Sequence, residues 1–297
     1  MDKLFEIQRL DCFYDRPFVS GESRIVVSIE DLVIPKGKTV FIVGESGIGK
    51  STILEVLGLM NNTIVPSSDT VFRFYEQKDQ AIDLIQLWTR KDDRAVSAFR
   101  LKHFSFIFQS TNLMRNFTAL ENVAITRMLQ GYSATSSIER ASSTLEELGL
   151  PHIGSGRMAQ ELSGGQQQRL AFARAVLPDF SVLFGDEPTG NLDEENALKV
   201  MGLLAKKLEG MKDSSAVIVT HDMSLALAFA DIIIKIRKEF RPSPRAEEKL
   251  VTQGVVDSSC VYYPKGNGPD RVWTNGTLSW SDTDFERFLK SISDGSE

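Results

Sequence analysis

Short apolar runs alternate with amphipathic stretches along most of this chain. Residues 1–43 alternate polar and apolar positions, which predicts antiparallel strands with a turn at residues 35–38. Apolar runs at residues 40–43, 104–108, 181–184 and 215–219 predict short buried strands, and helix-patterned segments lie between them. Strands that alternate with helices require right-handed crossovers and a mostly parallel sheet. The pattern therefore predicts an α/β fold.

Two regions depart from this alternation. Residues 71–75 and 81–88 have the pattern of two further strands joined by the polar turn 76–80. Residues 110–160 are helix-patterned instead, with a capping signal at Thr118 and Glu121 and a stop signal at Gly149. We therefore expect an antiparallel β subdomain and, at about residues 110–160, an α-helical subdomain.

A change of composition sets the C-terminal residues apart. The segment RPSPRAEEK, residues 241–249, breaks the pattern and predicts a boundary. Beyond it lie short strand patterns, a hairpin signal at Asn275-Gly276 and a helix-patterned stretch, DFERFLKSI. We expect a main domain over residues 1–240 and a C-terminal extension over residues 241–297, folded as a small β-hairpin plus helix.

The clearest chemical motif follows the apolar run at residues 40–43. The sequence GESGIGKST matches the phosphate-loop pattern G-x(4)-G-K-[ST], and a helix pattern begins at Lys50. Its glycines let successive backbone N–H groups converge on a phosphate, and the helix N-terminus adds partial positive charge. Lys50 supplies a charge for the β- and γ-phosphates, and Ser51 a hydroxyl ligand for Mg²⁺. The predicted nucleotide-binding residues of this loop are Gly44, Glu45, Ser46, Gly47, Ile48, Gly49, Lys50, Ser51 and Thr52.

Two further positions are candidates for ligand chemistry. Gln109 is a polar residue at the C-terminal end of a predicted core strand, where α/β folds place their ligands. Tyr14 in FYDRPF can stack on an adenine ring. A core or edge-strand role is an equal alternative for any single aromatic here, and Phe13 and Phe18 are rival candidates for the adenine.

Composition narrows the class of protein. At 297 residues, with 42% hydrophobic and 25% charged residues, the chain has the values of a soluble globular protein. A net charge of −6 argues against binding to a nucleic-acid backbone. No run of 18 apolar residues and no signal-peptide core is present, so we expect the chain in the cytosol. Two cysteines and three histidines make a disulfide framework or a zinc site improbable.

Five stretches resemble, in order and spacing, the nucleotide-binding subunits of ATP-binding cassette (ABC) transporters. They are GESGIGKST, Gln109 after a strand, LSGGQQQR, VLFGDEPTGNLD and VTHD, and the resemblance covers roughly residues 1–240. It implies a P-loop ATPase core with an antiparallel β subdomain and an α-helical subdomain. It also implies that the chain binds ATP and Mg²⁺ and hydrolyses ATP.

The resemblance assigns roles to the residues of these motifs. Asp186 is placed to hold Mg²⁺ with Ser51, and Glu187, one residue on, is free to act as general base on the attacking water. Gln109 senses Mg²⁺ or that water, and His221 contacts the γ-phosphate. The signature residues of LSGGQ close over the nucleotide of a partner subunit, and Asp193 crosses the same interface; the signature set is Ser163, Gly164, Gly165 and Gln166.

The resemblance also implies partners. A head-to-tail dimer, with a second copy or a homologous subunit, would share two ATP sites. TNLMRNFTALENV after Gln109, with DEPTGNLD, resembles ATPases of the lipoprotein-releasing, macrolide-exporting and FtsE-like group. This resemblance implies integral membrane permease subunits on separate chains and a cytoplasmic position on the inner face of the cell membrane. If so, Leu113, Met114 and Phe117 should be partly exposed for docking.

Two other functions fit the same motifs. A soluble ABC ATPase of DNA repair or translation is one, although no coiled coil, zinc insertion or second cassette is visible in the sequence. A regulatory module that dimerises on ATP and gates a partner is the other. Both use the same site residues, so the motifs alone separate them poorly.

Overall fold

The computed structural model of the chain describes residues 2–15, 23–61, 63–64, 66–90, 92–150, 156–211, 213–243, 246–266 and 271–290. Contacts divide the chain into two compact units, one of Met1–Val96 with Val219–Glu297 and one of Ser97–Ile218.

The strands, in chain order, are β1 (Lys3–Asp15), β2 (Ser23–Pro35), β3 (Thr39–Val43), β4 (Val71–Gln77), β5 (Gln80–Asp83), β6 (Phe104–Ile107), β7 (Val182–Asp186), β8 (Ser215–Val219), β9 (Ile232–Lys235), β10 (Arg237–Ser243), β11 (Ala246–Val256), β12 (Val261–Lys265), β13 (Val272–Thr274) and β14 (Ser279–Ser281).

Helices connect many of these strands. In chain order they are α1 (Lys50–Leu57), α2 (Leu84–Thr89), α3 (Asp93–His103), α4 (Ala119–Leu129), α5 (Ala134–Glu147), α6 (Gly164–Val176), α7 (Glu194–Glu209), α8 (Met223–Phe229) and α9 (Asp282–Lys290). None of the helices in the described part of the chain combines the length and apolar composition that a membrane span needs.

The first unit contains a six-stranded sheet in the order β10-β11-β2-β1-β4-β5. Neighbouring strands are antiparallel except β11 and β2, which are parallel. In its other sheet, β14, β13, β12, β9 and β3 lie side by side in that order, and β3 and β9 are parallel. β3 and β9 are almost entirely buried, as their continuous apolar runs predict.

The second unit combines short parallel strands with helices. β8, β7 and β6 lie side by side in that order, and β6 runs parallel to β7. α4 and α5 occupy the range predicted to be helical, and α4 begins with the predicted capping box between Thr118 and Glu121. The backbone N–H of Thr118 holds the pKa of Glu121 below its ordinary value.

Two sequence-based predictions of local structure are wrong. Residues 84–88, expected to continue a strand, belong to α2, because Asp83 caps the helix by accepting the backbone N–H of Gln86 at 3.0 Å. The segment 241–249, expected to be a boundary, lies largely within the β10-β11 hairpin, although residues 244–245 are outside the described part. Through β11 and β12 the chain after residue 240 pairs with β2 and β9 of the first unit.

The C-terminal residues build an aromatic cluster in the first unit. The Asn275-Gly276 hairpin is present as β13 and β14. Trp273 and Phe285 are fully buried and stack with ring centroids 5.2 Å apart. Lys235 is buried beside them: its Nζ donates to the Phe288 carbonyl at 3.0 Å and lies 3.4 Å from the Phe288 ring centre. Burial lowers the pKa of Lys235 to about 8.

Candidate functional site

The predicted phosphate loop forms a tight turn between β3 and α1. Gly47 and Gly49 have φ angles of 76° and 109°, which residues other than glycine rarely adopt. A Cβ at Gly49 would also lie only 3.0 Å from the Cβ of Val27. Lys50, the first residue of α1, points its Nζ back to the carbonyls of Gly44 and Glu45 at 2.9 and 2.8 Å. The loop therefore holds its lysine head group against its own first residues.

The remaining loop residues differ in exposure. Ser46, Gly47 and Ser51 are exposed. Ile48 and Thr52 are buried, and they anchor the loop in the first unit, to which it belongs. Exposed backbone at the start of a helix can donate to a phosphate. The turn thus has the solvent-facing surface that a phosphate loop needs.

The β10-β11 hairpin packs against this loop, which sequence reasoning missed. Gly254 in β11 lies so close to the loop that a Cβ on it would be 2.4 Å from the Ile48 carbonyl oxygen. Lys238 in β10 forms an ion pair with Glu45 of the loop, with Nζ 2.8 Å from Oε2. The only local signal was a glycine inside an apolar strand, which often marks close backbone approach.

His221 lies beyond the end of β8, next to the strand that enters the phosphate loop. The backbone N–H of Thr220 donates to the carbonyl of Ile42 in β3 at 3.5 Å. His221 is exposed, and Asp222 after it caps α8 by accepting the backbone N–H groups of Ser224 and Leu225. The histidine thus leaves the sheet at the edge where the phosphate loop begins.

Gln109 and the two acidic residues share one strand edge in the second unit. The parallel ladder of β6 and β7 pairs Phe106 with Phe184, and its last pair is Ile107 opposite Gly185. Gln109 and Glu187 are each two residues beyond that pair, and Asp186 is the last residue of β7. Because the strands are parallel, all three side chains belong to the same carboxyl edge. Asp186 and Glu187 are half-buried, and Gln109 is exposed.

The residues of the LSGGQ motif form the N-terminus of α6. Ser163 caps the helix: its Oγ accepts the backbone N–H of Gln166, and the Gln166 Oε1 accepts the backbone N–H of Ser163 at 3.0 Å. Gly164 and Gly165 form the first turn, and a Cβ on Gly164 would meet nothing within 4 Å. This helix start therefore presents open backbone to solvent, an arrangement suited to an anion.

Asp193 caps the next helix, α7. Its carboxylate accepts the backbone N–H of Asn196 at 2.9 Å and the Asn196 side-chain amide at 2.7 Å. The backbone hydrogen bond, with the side-chain bond second, holds the pKa of Asp193 below its ordinary value. Asp193 is exposed at the end of the loop that follows the acidic pair.

The segment after Gln109 is held in a defined conformation. Arg174 donates to the carbonyls of Thr111 and Asn112 at 2.9 and 2.7 Å. Residues 110–113 line a cleft of about 400 Å³ together with Arg115, Ala159, Gln160 and Gln167. Leu113 and Met114 are half-buried and Phe117 is 37% exposed, which confirms the expected partial exposure of all three.

The adenine candidates are only partly within the described residues. Tyr14 is in β1, paired with Arg24, but its side chain lies outside the described part. Phe18 lies outside it entirely, and Phe13 is half-buried in β1. Which of these aromatics contacts adenine stays a prediction.

Comparison with known proteins gives a consistent result. The family described as ABC transporter matches residues 29–190. The lipoprotein-releasing system ATP-binding protein LolD of Colwellia psychrerythraea is 35% identical over 250 residues, which is 83% of this chain and 91% of that protein. The macrolide export ATP-binding/permease protein MacB of Vibrio parahaemolyticus is 40% identical over 75% of this chain, but the match covers only 32% of MacB.

Solved structures agree with the sequence comparisons. The dimeric structure of MJ0796, a bacterial ABC transporter cassette, has a TM-score of 0.66 and 29% identity, and the match covers 78% of this chain and 94% of that one. A dimeric post-hydrolysis state of the same cassette, bound to ADP and Pi, matches equally well. These similarities confirm the fold class predicted from the sequence.

Proposed function

The chain belongs to the ABC transporter family as an ATP-binding subunit, and we propose that it dimerises on ATP and drives a separate membrane subunit by ATP hydrolysis. The observation that carries this proposal is the open helix start at Ser163 and Gly164, which gives the chain a second helix N-terminus suited to an anion in addition to that of the phosphate loop. Since one phosphate loop already cradles the phosphates of one ATP, the second helix start suits the nucleotide of another subunit.

ATP binding is assigned to the phosphate loop. Residues 44–52 surround the β- and γ-phosphates with backbone N–H groups, and an aromatic residue, Tyr14 or its rivals Phe13 and Phe18, stacks on the adenine. In the described structure the Lys50 ammonium lies on the carbonyls of Gly44 and Glu45. On ATP binding it exchanges these two neutral acceptors for charged phosphate oxygens, which form stronger hydrogen bonds.

Mg²⁺ fits the donor set that the motifs supply. Ser51 offers an exposed hydroxyl, Asp186 a half-buried carboxylate and Gln109 an exposed amide oxygen, all of them oxygen ligands of the kind this ion prefers. Among the described residues no group of three or more histidines, cysteines and acidic residues could hold a metal ion. When bound, Mg²⁺ neutralises charge on the β- and γ-phosphates.

Hydrolysis is assigned to the strand-edge residues. Glu187 accepts a proton from the attacking water as general base. Gln109, from the same carboxyl edge, orients that water or contacts the ion. His221, beside the strand that enters the phosphate loop, donates to a γ-phosphate oxygen and so responds to its presence.

Dimerisation brings each signature motif to the partner copy's ATP. Ser163, Gly164, Gly165 and Gln166 direct the N-terminus of α6 at the partner's γ-phosphate, and Asp193 contacts the partner across the interface. A head-to-tail arrangement follows, because each copy contributes its phosphate loop to one site and its signature motif to the other. The dimeric state of the MJ0796 cassette supports this arrangement.

The membrane partner is assigned to the cleft after Gln109. Leu113 lines this cleft, Phe117 of the same segment is exposed, and Arg174 donates to the backbone carbonyls of Thr111 and Asn112. We expect integral membrane permease subunits on separate chains, and hence a peripheral position on the cytoplasmic face of the cell membrane. The macrolide-export relative carries both functions in one chain according to its name, ATP-binding/permease protein.

Removal of the Lys50 ammonium tests the catalytic part of the proposal. Purified Lys50→Ala should hydrolyse ATP roughly 10²-fold more slowly or worse, because preorganised charge at the phosphates is the main source of catalysis. Lys78→Ala is a matched control, since Lys78 is exposed in the turn between β4 and β5. ATPase activity of Lys50→Ala equal to that of Lys78→Ala, with both variants folded, would exclude the phosphate-loop mechanism.

A further inference from the structure

A glutamine of the signature helix is bonded to the loop that carries the catalytic acid. Gln168 lies on α6, five residues after Ser163, and its side chain is only 1% exposed. Its Nε2 donates to the carbonyl oxygen of Pro188 at 2.9 Å, and Pro188 directly follows Glu187. A buried hydrogen bond thus joins the helix that begins with the signature motif to the loop that carries the general base.

The backbone at the general base has an unusual conformation that requires support. Glu187 has φ of 49°, a left-handed value that non-glycine residues adopt at some cost. Two hydrogen bonds hold the backbone on its C-terminal side: Gly190 N–H donates to the Glu187 carbonyl at 3.2 Å, and Gln168 to the Pro188 carbonyl. Of these two donors, only Gln168 comes from a different element.

The other polar atom of the Gln168 amide, its oxygen Oε1, is also buried. Among the described residues its Oε1 is buried without a hydrogen-bond partner. An unsatisfied buried acceptor costs folding free energy, so this oxygen adds nothing to the stability of the fold. The hydrogen bond that Gln168 donates to the Pro188 carbonyl is a reason for an amide side chain at this position.

We propose that Gln168 is a positioning residue that couples the two ATP sites of the dimer. This inference rests on the proposed function, in which the N-terminus of α6 contacts the partner copy's ATP while Glu187 serves the ATP of its own copy. Both residues belong to α6 or its cap, and Gln168 lies about 7.5 Å along the helix axis from Ser163, at 1.5 Å per residue. When the signature motif closes on the partner's nucleotide, the helix moves the Pro188 carbonyl and sets the orientation of Glu187. Hydrolysis in one site then depends on occupancy of the other.

Replacing the amide with a thioether of similar length tests the coupling. Gln168→Met keeps the length but can neither donate nor leave an oxygen unpaired. We expect the ATP dissociation constant to stay within about twofold, because the phosphate loop is unchanged. We expect kcat to fall about tenfold or more and the Hill coefficient for ATP to drop towards one. A lower kcat and Hill coefficient with an unchanged ATP dissociation constant distinguishes a positioning role from a loss of folding or of ATP binding.

A second glutamine of the same unit provides the matched control. Gln130 donates to the carbonyls of Leu101 and Asp179 at 3.2 and 2.7 Å, far along the chain from the signature motif. Gln130→Met should lower the melting temperature as Gln168→Met does, yet keep kcat within twofold and the Hill coefficient unchanged. Equal losses of kcat and cooperativity in both variants would overturn the inference, as would wild-type kinetics in Gln168→Met.

Gln168→Glu decides the question if Gln168→Met does not fold. Burial raises the pKa of a carboxyl group, so this side chain can be protonated near neutral pH and then donate to Pro188 as the amide does. Its kcat relative to wild type should rise as the pH is lowered from about 8 to about 6. A constant ratio would overturn the coupling. If the wild type itself does not hydrolyse ATP, the proposed function fails, whereas a hydrolysing wild type with indifferent variants refutes the inference alone.

Discussion

Gly254 offers the sharpest test of how the C-terminal hairpin supports the phosphate loop. In Gly254→Ala the new Cβ would lie 2.4 Å from the Ile48 carbonyl oxygen and 2.9 Å from Cγ2 of Ile236. Reaching even 3.0 Å from that oxygen requires a shift of roughly 0.6 Å. The Ile48 oxygen is backbone and cannot rotate away, so either β11 or the loop must move.

The size of the effect follows from the packing. Overpacking by one methyl group typically costs about 1–3 kcal/mol of unfolding free energy. β11 is held in place by its parallel pairing with β2, where Gly254 is opposite Val27. We therefore expect the loop to yield in part, moving the amide groups that cradle the phosphates. A tenfold weaker ATP affinity, about 1.4 kcal/mol, is the expected result.

Thermal unfolding and ATP titration measure the two effects separately. Gly202→Ala in α7 is the control, because a Cβ there would meet nothing within 4 Å. It should leave ATP affinity unchanged and stabilise the helix by up to about 1 kcal/mol. If Gly254→Ala melts earlier but binds ATP as the wild type does, β11 has moved instead of the loop. That outcome would refute the claim that the hairpin maintains the loop's shape.

Two further predictions concern the partner cleft and the aromatic cluster. Leu113→Glu should abolish binding to membranes from the native host and keep basal ATP hydrolysis within about twofold, because it charges an apolar docking surface. Leu198→Glu, at an exposed position on α7, should keep both, and equal membrane binding by the two variants would exclude the cleft. Burial lowers the pKa of Lys235 from 10.5 to about 8, so the folded protein loses this proton before the unfolded chain does. The free energy of unfolding of wild type relative to Lys235→Met should therefore rise with pH from about 8 to about 10. A pH-independent difference, measured by urea unfolding, would contradict this.

The parts of the site that the sequence predicts are those encoded locally. The phosphate loop needs glycines at fixed offsets from Lys50, and the cap of α4 needs Thr118 three residues before Glu121, so both are visible in a few letters. Gln109 and Glu187 are predictable at one edge because parallel strands align their carboxyl ends.

The features that the sequence analysis missed depend on contacts between residues far apart in the chain, or on a segment whose pattern fits a strand while its capping residue favours a helix. Nothing near Gly254 in the sequence indicates Ile48, which comes from another part of the chain. The run after Asp83 alternates like a strand, but the aspartate's capping bond favours a helix. The segment 241–249 predicted a boundary, yet its Pro242 lies in β10, an edge strand of its sheet, where proline is tolerated.

Amide substitutions of the adjacent carboxylates Asp186 and Glu187 provide the most direct test that the protein forms an ATP-driven dimer. Glu187→Gln removes the general base and keeps the shape of the side chain, so ATP and Mg²⁺ should still bind while hydrolysis slows by about 10²–10⁴-fold. Size-exclusion chromatography with Mg-ATP should then show a dimer that disappears when nucleotide is removed. Asp186→Asn should instead weaken Mg²⁺-dependent binding and give few dimers. An elution profile of Glu187→Gln that does not depend on ATP, with hydrolysis near the wild-type rate, would contradict the account.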